Sequence, residues 1–169
     1  SSGRCSRRSL RAPGSMPEAR ESARTRFQRY AFNFFPAFRG TGGRITFIAS
    51  DYSEVRVRLP LSWRTRNYVG TIYGGSMYAA VDPFYMIQLM KRLGPDYVVW
   101  DKAASIRFRR PGKTTLYARF LMPDEEVAAV RAALEQADSV ERDYTCELRD
   151  ADGKLHASVE KRIYIRRKD

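Results

Sequence analysis

The chain has 169 residues, 43% of them hydrophobic, and a formal net charge of +12 at neutral pH. This length suits one domain with a substantial core, and no apolar run reaches the roughly 20 residues of a membrane-spanning helix. The positive charge favours anionic partners such as nucleic acid, anionic lipid or a phosphorylated small molecule, although solubility alone is the commoner reason for it.

Residues 1–20 are rich in Ser, Arg, Gly and Pro, a composition that predicts a disordered tail. Gly14, Ser15 and Met16 resemble a cloning junction before a native start, so we expect at least residues 1–15 to come from an expression vector. An Arg- and Ser-rich transit peptide is the alternative interpretation. We expect residues 21–169 to form a single domain.

After the tail, residues 23–38 place Phe27, Tyr30 and Phe34 at helical spacing up to Pro36, which predicts a short amphipathic helix. Alternating apolar residues and turn signals predict the remaining elements. These are strands at 44–50, 54–61, 97–109, 115–122, 143–149 and 154–166, and a second helix near 124–137.

The central helix is predicted over residues 74–93, and its apolar character on nearly all sides indicates burial. Asp82 is the single charged residue between Gly74 and Met90. A carboxylate there is costly unless it has partners or a chemical role. Pro83 should kink the helix, so Asp82 either satisfies backbone groups around the kink or acts as a general base.

The start of this helix supplies the other candidate groups. Gly74 and Gly75 allow a ligand to approach bare backbone N–H groups at a helix N-terminus; the alternative is a tight turn. Ser76 could add a donor, and Tyr73 could donate its phenol to a carbonyl but is a poor base at neutral pH. The amide of Asn67 could orient a water molecule, or it could hold an Asx-type turn.

The series Asn67, Gly74, Gly75 and Asp82, followed by the strand–RPG–strand segment at 105–120, resembles the PaaI-like thioesterases of the hotdog superfamily. Residues 124–137 and the ELRDADGKLHASVEKRIYIR segment are closer still to an uncharacterised hotdog branch, a domain of unknown function. The resemblance spans about residues 25–166. It implies an α+β hotdog fold, in which a curved antiparallel sheet of five or six strands wraps one long central helix. Tyr73 stands where those thioesterases usually have His.

The resemblance also implies a reaction, the hydrolysis of a fatty or aryl acyl-CoA thioester. The N–H of Gly75 would polarise the carbonyl and Asp82 of a second subunit would act as base or nucleophile, in a homodimer or a dimer of dimers. We expect the coenzyme A phosphates to be bound by a basic run on and after a strand: Arg107, Arg109, Arg110 and Lys113. We expect no cofactor other than coenzyme A within the substrate, no metal, no membrane insertion and a cytoplasmic location.

Other interpretations stay open. Because Tyr73 replaces His, a non-catalytic protein that binds acyl-CoA or acyl carrier protein is the main alternative. Nucleic-acid binding is disfavoured, since no recognition helix, zinc spacing or aromatic RNA-binding signature is present. His156, the only histidine, is predicted on the surface, while Trp63 and Trp100 are predicted to pack in the core or an interface.

Overall fold

The computed structural model describes residues 19–168, so the predicted tail lies almost wholly outside the described residues. The described helices are α1 Ala23–Phe34, α2 Pro36–Gly40, α3 Gly74–Ala79, α4 Phe84–Leu93 and α5 Asp124–Gln136. The described strands are β1 Arg44–Ile48, β2 Glu54–Leu59, β3 Tyr97–Phe108, β4 Leu116–Leu121, β5 Ser139–Arg149 and β6 Leu155–Arg167.

All six strands join one antiparallel sheet in the order β1-β2-β4-β5-β6-β3. The long strand β3 follows the helices in sequence and lies at one edge of the sheet, paired with β6 along its length. β4 and β5 share a single residue pair, Tyr117 with Arg149, so backbone pairing is weakest in the middle of the sheet.

The core lies between one face of the sheet and helix α4. In β4, for example, Leu116, Ala118 and Phe120 are buried and alternate with exposed residues, as the period-two pattern predicts. Phe84 of α4 packs against Phe120 with ring centroids 5.1 Å apart, and Leu89 is fully buried beside them. The predicted hotdog fold, a curved sheet around a helical centre, is therefore confirmed.

The predicted helix over residues 74–93 is divided into α3 and α4, and the interruption falls at the proline. Pro83 has no N–H to donate to the preceding turn, and its own carbonyl accepts from Ile87 N at 3.0 Å, which begins α4. Residues 80–83 form the turn between the two helices, and Asp82 lies in this turn.

Three predictions about side-chain location differ from the structure. His156 is buried, with 7% of its surface exposed, because it is held between two turns rather than by the strand's polar face. Trp63 is 86% exposed and Trp100 is 48% exposed, so neither packs in the core; their packing in an interface stays a prediction. The predicted helix at 23–38 is two helices that meet at Phe35; Phe27, Tyr30 and Phe34 of the first face outward, whereas Phe38 of the second is buried.

The pairing of β2 with β4 depends on one buried carboxylate. Arg56 and Arg119 lie directly opposite each other across these strands, where like charges are destabilising. The carboxylate of Glu54, almost fully buried, accepts hydrogen bonds from both guanidinium groups at 2.6 Å. Burial alone would raise the pKa of Glu54, but the two arginines outweigh burial and hold that pKa below its ordinary value.

We expect Glu54→Gln to lower the free energy of unfolding at pH 7 by about 1–2 kcal/mol, because the amide cannot neutralise two facing arginines that stay half-exposed. A carboxyl whose pKa is lowered on folding stabilises the protein above its unfolded-state pKa, and this contribution is lost as the pH falls through the folded-state pKa. Urea unfolding should therefore show a difference at pH 7 that shrinks below about pH 4. Asp143→Asn, which breaks the exposed pair with Arg162, is the control with a smaller effect; a pH-independent difference would contradict the prediction.

Candidate functional site

Asp82 is held by one of its two carboxylate oxygens. Its Oδ1 accepts a hydrogen bond from the Tyr78 hydroxyl at 2.6 Å and a second one from the Lys161 ammonium. No described residue hydrogen-bonds to Oδ2, and 39% of the side chain is exposed. The carboxylate is thus fixed in orientation while one oxygen remains accessible, rather than being fully buried as the apolar helix predicts.

Lys161 of β6 is the buried charge of this site, with 2% of its side chain exposed. Its Nζ also donates to the Asp82 carbonyl at 2.9 Å and lies 2.9 Å from Oδ2 of Asp101. Three oxygens therefore match the three protons of the ammonium. Burial alone would lower the pKa of Lys161, but these two aspartates outweigh it and hold the pKa above its usual value, so the lysine stays charged.

Asp101 of β3 completes the group. Its Oδ1 is buried with no hydrogen-bond partner among the described residues, and burial raises the pKa of this carboxyl even though Lys161 opposes the shift. Asp101 lies opposite Ile163 immediately before an irregularity in the pairing of β3 with β6, the kind of bulge that re-aims side chains. We call Tyr78, Asp82, Asp101 and Lys161 the lysine cluster.

Sequence reasoning identified Asp82 but missed its partners, although a signal for them was present. Lys161 has the same strand parity as Val159 and Ile163, both fully buried, so alternation places it on the inner face. Asp101 follows Val99 with the same parity. A charged residue in an otherwise apolar series of inward positions indicates a buried ion pair.

The glycine turn lies at the start of α3. No described residue accepts a hydrogen bond from the N–H of Gly74, Gly75 or Ser76, and the helix has no side-chain cap. The ring of Tyr73 covers Gly75 so closely that a Cβ there would lie 2.3 Å from the ring edge. A Cβ on Gly74 would likewise lie 2.8 Å from the ring of Phe108. Both positions therefore require glycine unless an aromatic ring moves.

The RPG turn lies next to the residues that lead into this glycine turn. Ile72 N donates to the Gly112 carbonyl at 2.8 Å, and His156 joins the Pro111 carbonyl to Asp150 through its two ring nitrogens, at 3.1 and 2.9 Å. The basic residues at the end of β3 and after it are all exposed, and none of them forms an ion pair with a described residue: Arg107, Arg109, Arg110 and Lys113.

Asn67 holds its own loop together. Its Oδ1 accepts from the backbone N–H groups of Val69 and Thr71 at 3.1 and 3.0 Å, and its Nδ2 donates to Thr71 Oγ1 at 2.9 Å. This is the Asx-type turn that the sequence offers as the alternative role for Asn67. One amide hydrogen is left for any further role.

The lysine cluster and the glycine turn lie apart within one chain. Asp82 lies seven positions after Gly75, which corresponds to about 10 Å of rise along a continuous helix. A cavity of about 630 Å³ lies elsewhere, against β2, β4 and β5, and includes neither residue. Across the part of the chain that the structure describes, no cluster of three His, Cys, Asp or Glu residues could hold a metal ion, and no helix is long and apolar enough to cross a membrane.

Several solved structures share this fold. A Pseudomonas aeruginosa protein of unknown function, described as a probable thioesterase, is 20% identical with a TM-score of 0.75; the match covers 85% of this chain and 96% of that one. A thioesterase from Haemophilus influenzae is 13% identical with a TM-score of 0.60, covering 81% and 87%. A mutant thioesterase from Pseudomonas aeruginosa is 12% identical with a TM-score of 0.62, covering 84% and 94%. At such identities the likeness establishes the fold.

No curated protein matches the chain. A family model does match, and it covers residues 23–165, from the beginning of α1 almost to the end of β6. That range contains the whole sheet core, the lysine cluster and the glycine turn. The chain therefore belongs to the family described as Domain of unknown function (DUF4442).

Proposed function

We propose that this protein hydrolyses an acyl thioester, with coenzyme A as the thiol. The observation that carries the proposal is the asymmetry of Asp82, whose Oδ1 is held by two donors while Oδ2 is exposed and without a partner among the described residues. A general base needs an oxygen that is fixed in direction and open to water.

In the proposed reaction, Oδ2 of Asp82 takes a proton from a water molecule as the water oxygen bonds to the thioester carbon. The carbonyl oxygen becomes an oxyanion, which the N–H of Gly75 stabilises. The tetrahedral intermediate then collapses, the C–S bond breaks, and the proton on Asp82 returns to the leaving sulfur. Direct attack by Asp82 to form an anhydride, later hydrolysed by water, is the second route that this geometry allows.

The proposal requires two copies of the chain. Asp82 lies seven positions after Gly75, which corresponds to about 10 Å of helical rise, so we infer that one carbonyl contacts Gly75 of one chain and Asp82 of another. Asp101 lies on β3, the edge strand of the sheet, and the ammonium of Lys161 links it to Asp82. A second copy paired edge to edge at β3 could bring its glycine turn toward this carboxylate, as the resemblance implies, and a dimer of dimers would keep this arrangement.

Four exposed cations support coenzyme A as the thiol. Phe108 lies between Arg107 and Arg109 in sequence and packs over Gly74, so the backbone segment that carries both arginines lies close to the glycine turn. Arginine binds phosphates through paired hydrogen bonds, and coenzyme A brings phosphates to the end of the substrate away from the thioester.

A non-catalytic protein that binds acyl-CoA or acyl carrier protein is the second candidate, and the position of Tyr73 favours it. The ring of Tyr73 covers Gly75, where the oxyanion would form. Because the ring is 59% exposed, a bound ligand could displace it or could be held by its hydroxyl without reacting.

Asp82→Asn separates these two candidates. The amide keeps the shape but cannot accept the proton, so we expect the turnover of a reactive acyl-CoA to fall by about 10²–10⁴-fold. Binding of a non-hydrolysable acyl-CoA thioether should change little. Release of free thiol across a panel of acyl-CoAs measures turnover, and calorimetry measures binding. Asp138→Asn, an exposed carboxylate outside the site, should match the parent; a parent that binds the thioether but hydrolyses no thioester would establish the binding role.

Arg107→Gln/Arg109→Gln tests the contact with coenzyme A. We expect KM for acyl-CoA to rise about tenfold or more, because each lost phosphate contact removes a charge-assisted pair. KM for the same acyl group on N-acetylcysteamine, which has no phosphate, should stay the same. Arg44→Gln/Arg58→Gln removes two arginines that face each other across β1 and β2 and is the control. An equal rise in KM for both thioesters would count against phosphate recognition.

Lys161→Met tests whether the lysine positions Asp82. We expect kcat to fall about tenfold to a hundredfold with KM nearly unchanged, since a misplaced base slows chemistry more than binding. Lys102→Met, at an exposed lysine next to Asp101 on β3, should leave kcat unchanged. Lys161→Arg keeps the positive charge, so its kcat should be higher than that of Lys161→Met. Circular dichroism and urea unfolding would check the fold; a folded Lys161→Met protein with normal kcat would reduce Lys161 to a structural role.

A further inference from the structure

Helix α1 is oriented with its aromatic side away from the protein. Phe27 is 72% exposed, Tyr30 52% and Phe34 68%, and Phe35 just beyond the helix is 59% exposed. These helical residues follow the i, i+3, i+7 spacing that normally marks the face buried in a core. We call these four residues the aromatic face.

Polar contacts fix this orientation from the opposite side of the helix. Thr25 is fully buried, and the Tyr52 hydroxyl donates to Gln28 Oε1 at 2.7 Å. Asn33 donates to the Ile45 carbonyl at 2.9 Å and accepts from Ile45 N at 2.8 Å. The aromatic face therefore cannot rotate inward without breaking hydrogen bonds to β1 and to Tyr52.

Arginines border the aromatic face, and the stretch of sequence that forms this part of the chain has few acidic residues. Arg24 and Arg26 are exposed and lie on the two sides of the aromatic face, and Arg39 of α2 is exposed as well. Between residues 19 and 50 the sequence has six arginines and one acidic residue, Glu21, which is already paired with Arg29 at 2.8 Å.

This charge argues against two possible occupants of the aromatic face. A second copy of the chain, placed against the same face, would bring its own arginines against these. The 18 residues that precede the described range carry four arginines, one glutamate and few apolar side chains, so they too are poorly suited to cover it. A surface that is negatively charged outside and apolar beneath matches both the arginines and the exposed aromatic side chains.

We propose that α1 and the start of α2 bind the surface of an anionic lipid bilayer. The helix would lie in the plane of the interface, with Phe27 and Phe34 inserted below the headgroups and Tyr30 at headgroup depth. Arg24, Arg26 and Arg39 would contact the lipid phosphates. This peripheral contact needs no membrane-spanning helix and does not depend on the proposed hydrolysis.

Vesicle flotation with the full chain tests the proposal. We expect binding to vesicles of phosphatidylcholine and phosphatidylglycerol in equal parts, with at least about tenfold weaker binding to pure phosphatidylcholine and to the mixed vesicles in high salt. Phe27→Ser/Phe34→Ser should weaken binding to the mixed vesicles about tenfold or more. Tyr117→Ser/Leu121→Ser removes two exposed apolar side chains of β4 and should bind as the parent does.

Three results would overturn the proposal. Equal binding by Phe27→Ser/Phe34→Ser and the parent would show that net charge alone attracts the protein to anionic vesicles. Equal binding to both kinds of vesicle would remove the role of the arginines. If light scattering shows that the same double substitution converts a dimer into a monomer, a second copy covers the aromatic face instead of lipid.

Discussion

The ammonium group of Lys161 is the interaction on which the arrangement around Asp82 depends. It joins three parts of the chain that are distant in sequence, namely the turn between α3 and α4, the inner face of β6, and edge strand β3. A buried ammonium is tolerated only when its protons and its charge are matched, and here two aspartates and a backbone carbonyl provide this. The break in the helix at Pro83 makes that carbonyl available, so the kink and the ion pairs form one structural unit.

A second unit positions the helix start. His156 connects the turn after β5 with the RPG turn. The Gly112 carbonyl of the RPG turn then accepts a hydrogen bond from Ile72 N. Phe108 and Tyr73 then cover the two glycines from either side. Packing and backbone hydrogen bonds consequently hold the chain segment that carries the exposed arginines close to the start of α3.

These two units lie at different places on one chain, and both involve β3. Asp101 is near the beginning of this edge strand and Phe108 is at its end. An edge strand presents backbone groups that can pair with another chain, so this separation along β3 is compatible with the proposed site, which a second copy would complete. Helix α1 is attached differently. Hydrogen bonds hold it in place, and its aromatic side chains lie on the outer surface instead of in the core.

The sequence by itself determined the fold class, the order of the strands along the chain, the helix break at Pro83 and the presence of one carboxylate within an apolar segment. Local patterns carry this information, because strand alternation, proline and turn residues act over a few positions. Only the tertiary structure decided which charges meet: Lys161 with Asp82 and Asp101, His156 with Asp150, and Glu54 with two arginines. It also decided that the aromatic side of α1 faces outward, because the helical period of Phe27, Tyr30 and Phe34 marks an apolar face without indicating which way that face points.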